Sequence, residues 1–211
     1  MHLPIVTRLG LVLCLTVVVR AAEIIPYGSA WRYQIGYQEA SDPIDAWREV
    51  GFDDSSWSSG AAPIGYGEPN IITSLPATPG EWLSVYFSKT FQLSNPADLS
   101  ELTLKVLIDD GYVVWINGHE IEPRYNVPGG DLAYNAPLLG GDWPYNEQEE
   151  TTLVVRSNLT TILRAGDNVL CIHGFNCNTG SSDFVVDAEL SASIDVVAPT
   201  VVDVIPAAGA R

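Results

Sequence analysis

The chain is poor in positive charge: ten Lys and Arg stand against 26 Asp and Glu, a formal charge of -16 over 211 residues. Binding a nucleic-acid duplex takes cations that displace counterions from phosphates, and an excess of carboxylates repels both DNA and anionic lipid. Nucleic acid is therefore excluded as a partner. Sulfur and imidazole are scarce as well, with three Cys, one Met and three His. No HExxH, no GxSxG and no paired His at metal-ligand spacing occurs, so hydrolytic, redox and zinc chemistry lack their parts and no catalytic residue is expected. No apolar run reaches the about 20 residues that span a bilayer. Helical signals are confined to one turn at Pro96 to Leu99, capped by Ser94 or Asn95, and another at Leu159 to Arg164 that stops at Gly166.

What is present suits an exported β-protein. At 46% apolar and 17% charged residues the chain can fill a core and is not a disordered acidic tail. Residues 1–22 read as a secretory signal: a weakly basic start at His2 and Arg8, an apolar run from Leu9 to Val19, and small residues at Ala21 and Ala22. The alternative is a buried first strand. Removing 1–22 deletes two basic residues and no acid, taking the charge from -16 to -18. No membrane insertion is expected after cleavage. Cys171 and Cys177 pair only if Gly174 to Asn176 folds the chain back, because six extended steps cover roughly 20 Å; otherwise they are two small thiols, mostly buried.

Over most of the chain the apolar period is two. Leu102, Leu104, Val106 and Ile108 share one strand face, and Phe184, Val186, Ala188, Leu190, Ala192 and Ile194 share another. Val169 to Phe175 is apolar on both faces, the pattern of a central strand. Asn117-Gly118 between two apolar runs predicts a hairpin. With Trp31 to Ile35, Ser84 to Leu93 and Thr152 to Val155 this makes about eight strands, an antiparallel β-sandwich or jelly roll over residues 23–195. Residues 196–211 read as a linker entering a further domain.

Two long irregular stretches, Gly60 to Trp82 and Asn126 to Tyr145, are where a ligand would be sought. Trp82, Trp143, Tyr145, Tyr66 and Tyr134 lie in or beside them. Aromatic faces stack on sugar rings while Asn and Asp take the hydroxyls, but core filling explains aromatics equally well. Asp109-Asp110-Gly111 between two strands serves first as a tight turn, and its paired carboxylates also suit Ca²⁺ or sugar hydroxyls. Candidate ligand-binding residues are Asp109, Asp110, Asn126, Trp143, Tyr145, Asn176 and Asp183. His119 is expected to be solvated and His173 to be a hydrogen-bonded core histidine.

A serial pattern runs through the chain: Trp31, Trp47, FDDSSW at 52–57, GAAPIGYG at 60–67, Tyr86-Phe87, DDG at 109–111, WING at 115–118 and NVPG at 126–129. It continues with GDNVL at 166–170, IHGFN at 172–176, SSD at 181–183 and DAEL at 187–190. This resembles the galactose-binding-like jelly-roll modules of large exported bacterial proteins, and more distantly the sugar-binding domain of family 2 glycoside hydrolases. The resemblance implies an eight-stranded jelly roll acting as a noncatalytic, secreted or cell-surface, carbohydrate-binding accessory module, with glycan as partner and further domains in the same chain. It also implies a structural Ca²⁺ near the last strand, for which Glu189 is the positional candidate. The tail APTVVDVIPAAG looks like the opening of an immunoglobulin-like domain. Alternatives are a structural spacer or protein-interaction module without sugar binding, and the N-terminal module of an enzyme whose catalytic domain lies beyond residue 211.

Overall fold

The computed structural model describes residues 17–77, 80–139 and 149–197. Twelve strands are seen there: β1 (Val17–Ile25), β2 (Ala30–Ile35), β3 (Ser58–Ala61), β4 (Ile64–Tyr66), β5 (Thr73–Ser74), β6 (Ser84–Leu93), β7 (Leu99–Asp109), β8 (Gly111–Ile116), β9 (His119–Tyr125), β10 (Glu149–Val155), β11 (Gly166–Phe175) and β12 (Phe184–Val197). One short helix, α1 (Leu159–Ile162), joins them, with 3-10 turns at Ala46–Arg48 and Pro96–Asp98. Asn95 caps the second of these turns by accepting from Ala97 N at 3.2 Å.

The strands form two six-stranded sheets. The first has the order β10-β7-β12-β4-β5, with β1 also on β12; the second is β3-β2-β6-β11-β8-β9. Every pairing is antiparallel except β4 with β5. The chain is thus an all-β antiparallel sandwich, as its period-two pattern predicts. It has more strands than the eight expected because β3, β4 and β5, of two to four residues each, are too short to show alternation. β1 begins at Val17, so six residues of the segment expected as a leader pair with Ala192 to Val197. A β-branched Val17-Val18-Val19 run suits either an export signal or a strand.

Alternation places the core. From the first sheet Leu102, Leu104, Val106, Ile108, Phe184, Ala188 and Leu190 meet Val85, Phe87, Val114, Ile116, Leu170 and Ile172 of the second. The opposite face of the second sheet is apolar too, and residues 40–57 and 127–138 cover it. There Trp47 lies edge-on to Tyr86 at 5.1 Å and to Trp115 at 5.6 Å, and Trp57, Val127 and Leu132 close the cluster. His173 stacks on Tyr86 at 4.0 Å in this layer, fully buried, while His119 is exposed. β11 is therefore buried on both sides. It remains extended to Phe175, and both Cys171 and Cys177 are free thiols.

Candidate functional site

At one end of the sandwich β4 stops, β7 turns into β8, β9 ends, and β11 passes into β12. The approach of β4 to β12 decides what collects there. Tyr66 pairs with Phe184, and a Cβ on Gly65 would lie 1.8 Å from the Phe184 carbonyl oxygen. A Cβ on Gly67, at φ +78°, would lie 2.1 Å from the Ser182 oxygen. Only glycine permits this contact, and it delivers Glu68 to Asp183. Asp109, the last residue of β7, completes the group, and the three carboxylates offer oxygens within 4.8 Å of one another. Asp109 is 4% exposed. Its burial, reinforced by repulsion from Asp110, Asp183 and Glu68, pushes its carboxyl up to about 8.

Around the acids the polar groups interlock. Asp110 alone connects β7 to β8; its N–H donates to the Phe175 oxygen at 3.1 Å, and its Oδ2 accepts from Cys177 N at 2.6 Å. Asn126, in the left-handed region at φ 55°, donates from Nδ2 to the Asp110 oxygen at 2.9 Å. Asn176 donates from Nδ2 to the Tyr66 hydroxyl at 2.9 Å and to the Asp183 carbonyl at 3.2 Å. The Tyr66 hydroxyl in turn donates to the Ser181 oxygen at 3.1 Å, and Ser181 Oγ donates to Asp183 Oδ1 at 3.1 Å. Among the described residues, no Lys or Arg forms an ion pair with Asp109, Asp110 or Asp183. The group is made of oxygen acceptors, which suits a hard cation or a set of hydroxyl donors.

Five of the seven candidate ligand residues, Asp109, Asp110, Asn126, Asn176 and Asp183, thus lie together. Trp143 and Tyr145 fall outside the described residues. Glu68 carried no sequence signal, since only the β4–β12 pairing makes it a neighbour of Asp183. Trp82 is 5% exposed, edge-on to Tyr66 at 5.6 Å and to Phe184 at 5.4 Å, so it fills the core and offers no stacking face. Glu189 sits elsewhere: it faces Lys105 across β7, with Nζ 3.5 Å from Oε1. Glu189 is thus not part of the Glu68, Asp109 and Asp183 group.

No protein-family model matches the chain, and no curated protein does. Solved structures do. The fold is similar to a calcium-binding mutant of Bacteroides uniformis beta-glucuronidase 2, with TM-score 0.50 and 14% identity over 83% of this chain and 18% of that one. It is equally similar to a Bacteroides uniformis beta-glucuronidase, with TM-score 0.50 and 16% identity over the same shares. A glycosyl hydrolase family 2 member from Bacteroides cellulosilyticus matches at TM-score 0.48 and 14% identity, over 82% of this chain and 20% of that one. The chain therefore spans about a fifth of the length of the enzymes it matches. At these identities the likeness is one of fold: the chain is an antiparallel β-sandwich, distantly similar to a sandwich segment within much longer glycosidases.

Proposed function

We propose that the chain is a noncatalytic carbohydrate-binding accessory module of a larger exported protein, taking its glycan at the end of the sandwich where Asp110, Asn126 and Asp183 stand half-exposed. The observation that carries this is the convergence of five acid and amide side chains from three separate connections on one loop end. Such a set matches sugar hydroxyls, each of which donates and accepts. A strongly acidic surface favours neutral glycans over phosphate-bearing ones. Export rests on residues 1–22. Among the described residues no helix is long and apolar enough to cross a membrane. The distant fold-likeness to a segment of long glycosidases adds support for a multidomain parent chain.

A glycan array tests the reading. Retention of the wild-type chain on a defined glycan class is expected, with affinity at least tenfold weaker in Asp110→Asn and Asp183→Asn at a melting temperature within a few degrees of wild type. Absence of retention on every glycan removes it. A spacer reading draws on a specific observation too: the Asp110 carboxylate and the Asn126 and Asn176 amides are engaged within the protein. It is favoured if the same substitutions move the melting temperature and leave glycan affinity unchanged.

A further inference from the structure

The turn after β2 holds an aromatic ring out to solvent. Tyr37 is 50% exposed, and among the described residues no other Tyr, Trp or Phe is exposed. Its backbone is braced on both sides. Gly36 N donates to the Ser84 oxygen at 2.8 Å and Tyr37 N to the Ile35 oxygen at 2.8 Å. A Cβ on Gly36 would lie 2.5 Å from Ser84 Oγ, so glycine is needed for the chain to come this close. Two residues on, the Glu39 carboxylate accepts from the Tyr86 hydroxyl at 3.0 Å and from Tyr134 N at 3.3 Å. Between these anchors Tyr37 and Gln38 form an exposed tip, and neither side chain has a hydrogen bond or ring contact among the described residues. The ring serves neither the core between the sheets nor the cluster around Trp47.

The tip lies in line with the acid and amide group. Gly36 is bonded to Ser84, Ser84 pairs with Phe175, and the Phe175 oxygen accepts from Asp110 N. These are three steps along one end of the second sheet, about 14 Å at the usual strand spacing. We propose that Tyr37 and Gln38 form a second sugar contact, so that the module takes an internal stretch of a neutral polysaccharide chain rather than a single terminal sugar. The inference rests on the glycan reading of Asp110, Asn126 and Asp183. A phenol ring stacks on the C–H face of a sugar, and the Gln38 amide donates to and accepts from its hydroxyls. Bracing on both sides means that little freedom is lost when a sugar settles on the ring. One ring cannot reach from Tyr37 to Asp110; a chain of several sugars can.

The test is calorimetric titration of the full chain with oligosaccharide ladders of one to six units built from glucose, xylose, mannose and galactose. On the ladder that binds, affinity is expected to rise by about tenfold or more between the shortest and longest members. Tyr37→Ala removes that rise and leaves the short members bound as in the wild type. Tyr37→Phe keeps it, since the stacking face is intact, and Gln38→Ala loses part of it. Asp110→Asn weakens every member, long and short. The tip is exposed, so all three tip variants should melt within a degree or two of the wild type. Affinity independent of chain length, or a wild-type rise in Tyr37→Ala, overturns the second contact and leaves the first standing. Absence of binding to every member of every ladder counts against the glycan reading itself and removes this inference with it.

Discussion

His173 carries its proton on a defined nitrogen. The single hydroxyl proton of Ser84 goes to the Tyr134 oxygen at 2.6 Å, so Ser84 Oγ must accept from His173 Nε2 at 2.9 Å. Nδ1 is then bare and enclosed, with no donor among the described residues. Burial, aided by the nearby Arg48 cation, holds the imidazole well below its ordinary pKa. In the unfolded chain the ring takes a proton at about pH 6.5; in the folded chain it stays neutral well below that. Between the two values the unfolded state binds more protons, so this group's stabilisation is complete above about pH 6.5 and is lost as pH falls below it. The slope approaches about 1.4 kcal/mol per pH unit. Melting the wild type and His173→Gln between pH 7.5 and 5 should show a steeper acid-side decline in the wild type. Parallel curves would assign the acid sensitivity to other groups.

The β8–β9 hairpin is fastened by its own turn. Asn117 and Gly118 occupy the left-handed region at φ 51° and 76°, as an Asn-Gly pair between apolar runs predicts. The Asn117 side chain then does more than turn the chain. Its Nδ2 donates to the Ile162 oxygen at 2.8 Å and to Asn168 Oδ1 at 2.7 Å, and its Oδ1 accepts from Val169 N at 2.9 Å. One residue thereby links the hairpin to α1 and to β11, and Asn168 beneath it is fully buried. Asn117→Ala leaves several buried polar groups unpaired, and a loss of about 2–4 kcal/mol is expected in urea unfolding at unchanged m-value. Asn117→Asp should recover only part, since it keeps the acceptor and loses the donor. The hairpin and β6, found at Ser84–Leu93 as its alternation implies, were legible because their signals are local. Glu68 was not. Its place depends on a contact between segments such as Tyr66 and Ser181, 115 residues apart, and no local pattern in GYGEP announces which distant strand will receive it.

At the scale of the molecule the sandwich has a third layer, because loop residues cover the outer face of the second sheet. Its anchor is Trp47, 1% exposed among Trp57, Tyr86, Trp115 and His173. The core between the sheets contains none of these rings, so the two apolar masses are separable. Trp47→Ala should cost about 3–5 kcal/mol and flatten the near-ultraviolet dichroism while leaving the β-sheet signal and a cooperative transition. Simultaneous loss of the sheet signal at ambient temperature would show that the layers are one unit. The two-faced burial of β11 was readable in its unbroken apolar run, whereas the lid that provides the second face is irregular chain and left no periodic trace. β12 begins beside Asp183 and runs fourteen residues to Val197, which at about 3.3 Å per residue is roughly 45 Å of strand. The acid-lined loops and Val197 therefore lie at opposite ends of β12. A backbone change near Val197 is therefore separated by the whole length of β12 from the loops that hold Asp109, Asp110 and Asp183.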